Sequence, residues 1–325
     1  MMLPPNPTED VRSSSLYHKL KKETNMLDTK FYKEQMDKVN FPVAIQEIPT
    51  IPREMAQKIV RTDTEDALGI IKSKYRPINH VDAFDGALQT ISKAGVCFDN
   101  AELKIDSYEN GAMAKMEVMF KDHTAVVGKH NLYLKYIARN SYNGRWKFQS
   151  FFGWLNTVCF NTLVSGQKLA YTANKHTKSF DISQSTKKIK SAVEAVTQET
   201  GRFNKWWDTK VEDDYVADMF SKTIAKQKLS KGSRLAGVSP INKKQLSVLM
   251  GLYNEEVTQI HGRGDYGRNK AKGSLWCAYQ SATAWSTHLN DIEKNETKRY
   301  LVEQDRQAMV SDMVNSDEWK VLENA

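Results

Sequence analysis

The chain has 325 residues and a net charge of +8, with 40% hydrophobic and 26% charged residues. A chain of this size can bury a sizeable core and is expected to form about two structural units. No run approaches the roughly 18 apolar residues that span a bilayer, and the N-terminus lacks the apolar core of a signal peptide. These features favour a cytoplasmic protein with no membrane partner.

The N-terminal region, residues 1–50, is polar and is predicted to be a mobile arm. Within it, residues 16–39 have weak apolar spacing that is compatible with one exposed helix. Pro52 suits the first turn of a helix, which predicts helical structure over residues 52–62.

Residues 51–180 are predicted to form an α+β region whose antiparallel sheet spans about residues 66–175. Apolar residues at helical spacing predict a helix over residues 81–94, capped by Gly95. Asn110-Gly111 and Asn143-Gly144 are turn sequences typical of hairpins. The strand candidates cover residues 68–75, 96–107, 112–121, 131–141, 145–153 and 168–173.

Residues 181–290 are predicted to be a helical region that packs on the sheet, and residues 291–325 an acidic C-terminal helix and tail. Residues 262–273 contain four glycines and five charged residues, which predicts a flexible basic loop. The helix candidates cover residues 183–200, 203–226, 243–260, 274–289 and 296–314. The fold class expected from the whole chain is α+β.

Positive charge is concentrated in the middle of the chain. Residues 129–210 contain 14 Lys and Arg against 4 Asp and Glu, residues 222–273 contain 11 against 3, and residues 291–325 contain 5 against 9. Clustering of this size favours a polyanionic partner. A solvated surface neutralised by counterions is the alternative interpretation.

The most informative stretch, residues 144–178, interleaves aromatic residues with cations and contains no Asp or Glu. Aromatic faces stack unpaired bases while cations neutralise phosphates, so this pattern is typical of single-strand binding. Phosphate contacts are predicted for Arg145, Lys147, Lys168, Lys175 and Lys178, base stacking for Trp146 and Phe148, and a closing loop with Arg263, Arg268, Lys270 and Lys272. Core packing is the favoured interpretation for Phe151, Phe152, Trp154 and Phe160.

A catalytic interpretation has weaker support. Cys159 and His176 are candidates for a nucleophile and its base, although a buried, inert cysteine is commoner. Asn161 and Thr162 are expected to cap a helix that begins at Leu163. Cysteine spacing gives no zinc or disulfide pattern, and there is no phosphate-binding loop motif. We therefore expect no cofactor, no bound metal and no enzymatic activity, with an enzyme kept as the third alternative.

Two further charged sites lie on predicted helices. Trp206-Trp207 lies beside Arg202 and Lys205, and one of the two tryptophans is expected to enter the core because adjacent helical residues point in different directions. The acidic run from Glu212 to Asp214 is interpreted as a solvated helix start rather than as a metal site.

Short motifs in a fixed order resemble a known family. They are Leu68-Gly with Tyr75-x-Pro77-Ile78-Asn79, the segment Val158–Leu163 followed by His176-Thr177, and Leu275-Trp276-x-x-Tyr279-Gln280-Ser281-Ala282-Thr283. Over roughly residues 61–290 they are similar to the phage- and plasmid-borne domain of unknown function 932, except that Gln280-Ser281 replaces the usual Asn-Ala. The resemblance implies a mobile-element origin and supplies no activity. A relation to phage single-strand annealing proteins is suspected by fold-level analogy.

The sequence therefore predicts a non-enzymatic protein that binds single-stranded DNA, or RNA, as an annealing factor in phage recombination or replication. The alternative is a protein-binding module, such as a host-takeover or virion-associated phage factor. Its mark would be an exposed apolar patch rather than a basic surface. Formation of a homo-oligomer is left open.

Overall fold

The computed structural model describes residues 29–72, 75–156, 161–164, 172–174, 199–225, 240–261, 272–288 and 296–324. Antiparallel strands dominate the first half and helices follow, so the chain is an α+β protein, as predicted. No helix within these ranges is both long and apolar enough to span a membrane.

In the first half, the residues that the structure describes form two α-helices and nine strands: α1 (Thr29–Asp37), β1 (Val43–Glu47), β2 (Gln57–Arg61), β3 (Ala67–Ile71), α2 (His80–Lys93), β4 (Ala101–Tyr108), β5 (Met113–Val127), β6 (His130–Ser141), β7 (Phe148–Asn156), β8 (Asn161–Val164) and β9 (Thr172–Asn174). Strands β1, β2 and β3 form one antiparallel sheet. A second sheet has the order β4-β5-β6-β7-β8, and β9 pairs with β7.

The second half is mainly helical: α3 (residues 199–208), β10 (Lys210–Val211), α4 (Asp213–Ala225), α5 (Pro240–His261), β11 (Gly273–Ser274), α6 (Leu275–Thr287), α7 (Glu296–Val314) and α8 (Asp317–Glu323). Its two short strands, β10 and β11, pair antiparallel.

The chain divides into two compact units. Unit 1 comprises Met1–Asp122, Tyr136–Ser150 and Thr172–Lys190, and unit 2 comprises His123–Lys135, Phe151–Tyr171 and Ser191–Ala325. Strands β5, β6 and β7 therefore contribute residues to both units.

The core of unit 1 lies against the sheet of β1, β2 and β3. The apolar face of α2 is almost completely buried, as its spacing predicted, and Gly95 follows this helix with a left-handed φ of 85°. The cluster against the sheet comprises Phe41, Ile59, Leu68, Ile71, Ala112 and Tyr142, with Val43 and Tyr75 partly buried beside it.

The described part of the predicted N-terminal arm forms α1 and β1. Met36 in α1 and Val39 just after this helix are buried. The Gln35 side chain accepts a hydrogen bond of 3.0 Å from the Ile105 backbone amide, which attaches α1 to β4.

The helix predicted from Pro52 is wrong. Strand β2 occupies this region and pairs with β1 on one side and β3 on the other. Its β-branched Ile59 and Val60 are buried, so pairing and burial in the sheet outweigh the local proline signal.

The capping role expected for Asn161 and Thr162 is also wrong. Both residues lie in β8, where Asn161 is opposite Asn156 and Thr162 is opposite Leu155. The chain at this point continues the antiparallel sheet instead of starting a helix at Leu163.

Unit 2 is centred on α6. Every residue from Leu275 to Ser286 is buried, which confirms the uncharged buried helix predicted there. Ser274 caps this helix, because its Oγ accepts from the Cys277 amide. Trp276 and Tyr279 of α6 belong to an aromatic cluster with Phe203, Trp206 and Trp319 from other elements. Trp206 is fully buried and Trp207 is half-buried, as expected for adjacent helical residues.

Candidate nucleic-acid interface

Two segments of unit 1, about 70 residues apart in sequence, meet at its surface. One follows β3 and includes Tyr75, and the other is the connection between β6 and β7. The Tyr75 hydroxyl donates a hydrogen bond of 2.7 Å to the carbonyl oxygen of Ser141. A Cβ on Gly69 would lie only 2.6 Å from the Asn143 Cα, so the two backbones pack in close contact.

Among the residues that the structure describes, the two segments in contact carry four cations. Lys72, Arg76, Arg145 and Lys147 are all exposed, and we call these four residues the basic corner. Within the part of the chain that the structure describes, Lys72 and Lys147 form no ion pair. The corner therefore carries positive charge that is only partly neutralised by the protein itself.

The β6–β7 connection is held in a fixed conformation. Gly144 has a left-handed φ of 71°, and the Asn143 Oδ1 accepts a hydrogen bond of 3.0 Å from the Arg145 amide. Ser141 Oγ bonds to both backbone groups of Trp146, at 2.9 and 3.0 Å. Asn143-Gly144, predicted to form a hairpin turn, lies in this connection, and Arg145 and Lys147 beside it are exposed.

Trp146 and Phe148 point the other way. Each is only 1% exposed, and the Trp146 ring lies edge-on to Tyr108 and about 5.9 Å from the Arg139 guanidinium. Stacking needs an exposed ring face, so the structure corrects the prediction that these two residues stack on bases. The aromatic residues support the core, while the cations between them form the surface.

The other predicted contacts fall into two groups. Lys272 in unit 2, a predicted phosphate contact, is exposed and forms an ion pair with Glu212. Phe151, Phe152 and Trp154 are buried, which agrees with their favoured interpretation as core residues. The remaining candidates lie outside the residues that the structure describes: Lys168, Lys175, Lys178, Arg263, Arg268, Lys270, Cys159, Phe160 and His176.

Sequence reasoning missed the contribution of Lys72, Tyr75 and Arg76. The run Lys72-Ser-Lys-Tyr-Arg76 combines cations with an aromatic residue, as the central stretch does, but its pattern predicts only the end of a strand and part of the family motif. Tyr75 is half-buried, and burial raises the pKa of its hydroxyl, which therefore stays neutral and donates to Ser141.

A buried polar network lies behind the first family motif. Asn140 Nδ2 donates to the Ile78 carbonyl oxygen and to His80 Nδ1, at 2.9 Å each. His80 Nε2 is 2.9 Å from the Gly111 carbonyl oxygen, so the neutral ring carries its proton on Nε2. Tyr142 accepts from the His80 amide at 3.2 Å. This network attaches the segment after Tyr75 to β6.

Unit 2 contains a second histidine–asparagine pair. Asn156 Nδ2 donates to His130 Nδ1 at 2.7 Å and to Gln280 Oε1 at 3.1 Å. Burial lowers the pKa of His130, whose ring lies edge-on to Trp276. Gln280 of the closing motif is therefore a hydrogen-bond acceptor inside the core.

The described side chains give no indication of a metal centre. Within those ranges, no three His, Cys, Asp or Glu side chains are grouped so that they could hold an ion. Asp213 and Asp214 lie in the first turn of α4, where the helix dipole favours acidic residues.

The comparison with protein families identifies one match. Residues 67–310 match the model of the domain of unknown function DUF932, and this range includes the motifs around Tyr75 and Gln280. No curated protein and no solved structure matches the chain. Because the match covers most of its length, the chain belongs to the DUF932 family.

Proposed function

We propose that the protein binds single-stranded nucleic acid and that the basic corner of unit 1 contacts the phosphates. The observation that carries the proposal is the packing of the segment around Tyr75 on the β6–β7 connection. It joins two segments whose exposed cations are distant in sequence. Cations grouped in this way release counterions from a phosphate backbone, which drives association with nucleic acids.

The surroundings of the corner favour an unpaired strand over a duplex. Tyr75 is half-buried, and Ile70 in β3 is 68% exposed. Aromatic and apolar side chains gain most from contact with the faces of bases, and these faces are covered in a duplex. Single-stranded DNA is the proposed ligand, with RNA as the alternative.

The proposed biological role is that of an annealing factor in phage recombination or replication, in the cytoplasm of a host cell. Its support is the proposed single-strand binding together with the suspected relation to phage annealing proteins. A protein that holds unpaired strands with their phosphates neutralised lowers the repulsion between complementary strands.

The alternative role as a protein-binding module would be favoured by one continuous apolar patch. Ile45 and Ile70 are exposed on the three-stranded sheet. Ile45 pairs with Ile59 and Ile70 pairs with Lys58, which are adjacent residues of β2. Since adjacent strand residues point to opposite faces, Ile45 and Ile70 do not form one patch.

The test compares two sets of four substitutions that remove equal charge from unit 1. The corner variant carries Lys72→Ala, Arg76→Ala, Arg145→Ala and Lys147→Ala. The control variant carries Lys33→Ala, Arg53→Ala, Lys93→Ala and Lys104→Ala, all at exposed positions. Binding of a fluorescent single-stranded oligonucleotide is measured by anisotropy at several salt concentrations.

The corner variant should lose most of its affinity, and its salt slope should fall by about 0.7 for each lost phosphate contact. The control variant should lose much less. Equal losses in both variants would show that only net charge matters, and absence of binding by the unmodified protein at low salt would reject the proposal.

A further inference from the structure

One carboxylate lies among the cations of the basic corner. Glu109 Oε1 is 2.6 Å from Arg145 Nη1, and Glu109 Oε2 accepts a hydrogen bond of 3.0 Å from Asn143 Nδ2. The side chains of Arg145 and Glu109 are 47% and 32% exposed, so this pair is in contact with solvent. The two oxygens of one carboxylate thus occupy two donors of the β6–β7 connection.

The backbone that presents Glu109 adopts an unfavourable conformation. Glu109, Asn110 and Gly111 have φ values of 50°, 56° and 99° in the short 3₁₀ turn between β4 and β5. Glycine and asparagine tolerate left-handed backbone, whereas a glutamate rarely adopts it. Strained residues of this kind concentrate at functional sites. The unfavourable backbone conformation therefore indicates that Glu109 occupies a functional position.

A phosphodiester resembles this carboxylate in the property that matters here. Both groups present two anionic acceptor oxygens, and both bind arginine through short, charge-assisted hydrogen bonds. Arg145 and Asn143 are therefore a donor pair suited to one backbone phosphate. An exposed ion pair contributes little to stability, so exchange of the carboxylate for a phosphate costs little.

We infer that Glu109 sets the affinity of the basic corner by competing with nucleic-acid phosphate for Arg145 and Asn143. This inference rests on the proposed function. The free-energy cost of displacing Glu109 is offset when neighbouring cations such as Lys147 bind further phosphates of the same strand. A polymer is consequently favoured over a single phosphate or a mononucleotide, which offers fewer contacts.

The test is the substitution Glu109→Gln, with Glu102→Gln as the matched control. Glu102 is an exposed carboxylate of β4 in the same unit, where it pairs with Lys121. Affinity for a single-stranded oligonucleotide is measured over a range of salt concentrations. Glu109→Asn is a second variant, because asparagine tolerates the left-handed backbone and also removes the charge.

Both Glu109 variants should bind the oligonucleotide several-fold more tightly than the unmodified protein, and Glu102→Gln should change the affinity much less. The gain should disappear when Arg145→Ala is added, since the two side chains act through one contact. Weaker binding by both Glu109 variants, or a gain equal to that of Glu102→Gln, would overturn the inference. If the four-residue corner variant still loses affinity in that case, the proposed function stands, whereas an unmodified protein that binds no oligonucleotide rejects both.

Discussion

The two family motifs that the structure describes lie in contrasting environments. Around Tyr75 in unit 1, the motif reaches the surface and includes the exposed Arg76. Around Trp276 in unit 2, every residue of the motif is buried within α6. The difference indicates that the second motif maintains the core, while the first also shapes a surface. Substitutions should therefore separate stability from binding according to the region that they change.

The largest effect on stability is expected in α6. Trp276 is fully buried and contacts Phe203 and Tyr279. Trp276→Ala should lower the free energy of unfolding by about 3–5 kcal/mol, because it removes a large buried side chain and leaves a cavity. Chemical denaturation measures this change. Val321→Ala, at an exposed position of the same unit, is the control, and a loss for Trp276→Ala no greater than for the control would contradict the interpretation of α6 as core.

A smaller loss is expected at the buried histidine–asparagine pairs. Asn156→Leu removes the donor to His130 and Gln280, and Asn140→Leu removes the donor to His80 in unit 1. Each change leaves buried acceptors without this donor and should cost about 1–3 kcal/mol. Denaturation of both variants, with exposed Asn131→Leu as the control, tests whether the networks are comparable in the two units. Stability equal to the control at either site would show that the pair there is dispensable.

Two groups whose pKa values are shifted by burial, His130 in unit 2 and Asp85 in unit 1, should respond oppositely to pH. Burial lowers the pKa of His130, so the unfolded chain binds a proton at this histidine more readily than the folded chain does. The contribution of His130 to stability is therefore complete above about pH 6.5 and is lost as pH falls. Burial raises the pKa of the Asp85 carboxyl group to about 6. The same group accepts a hydrogen bond from the Tyr32 hydroxyl. The folded chain retains that proton, so the Asp85 contribution is present below about pH 4 and is lost as pH rises through 6.

Unfolding free energies between pH 4.5 and 7.5, compared with those of His130→Gln and Asp85→Asn, test these signs. The difference between the unmodified protein and His130→Gln should increase with pH, while that for Asp85→Asn should decrease. Each pH unit should change a difference by at most about 1.4 kcal/mol. Parallel curves for the unmodified protein and either variant would contradict the assigned shift.

Local patterns predicted much of the fold. Helical spacing located α2 and α7 closely, and the absence of charge identified α6 as buried. Strand β2 was missed because its stability comes from pairing with β1 and β3, which no local signal reports. The same physical limit applies to the site, since contact between Tyr75 and Ser141 depends on how distant segments fold together.

One part of the site was nevertheless visible in the sequence. From Arg145 to Phe148, charged and aromatic residues alternate with the period of a strand. Such alternation places cations on one side and aromatic residues on the other, and this is the arrangement that the structure shows. The interleaving suggests a joint binding surface, but its period of two separates buried aromatic residues from exposed cations.

Chemical footprinting of lysines tests the central claim most directly. The intact protein is labelled with an amine-reactive reagent, with and without saturating single-stranded DNA, and modification is quantified by mass spectrometry. The account predicts that DNA protects Lys72 and Lys147 of the basic corner, while the exposed Lys33 and Lys93 of the same unit react as before. Unchanged reactivity of Lys72 and Lys147 at saturating DNA would contradict the assignment of the basic corner as the nucleic-acid interface.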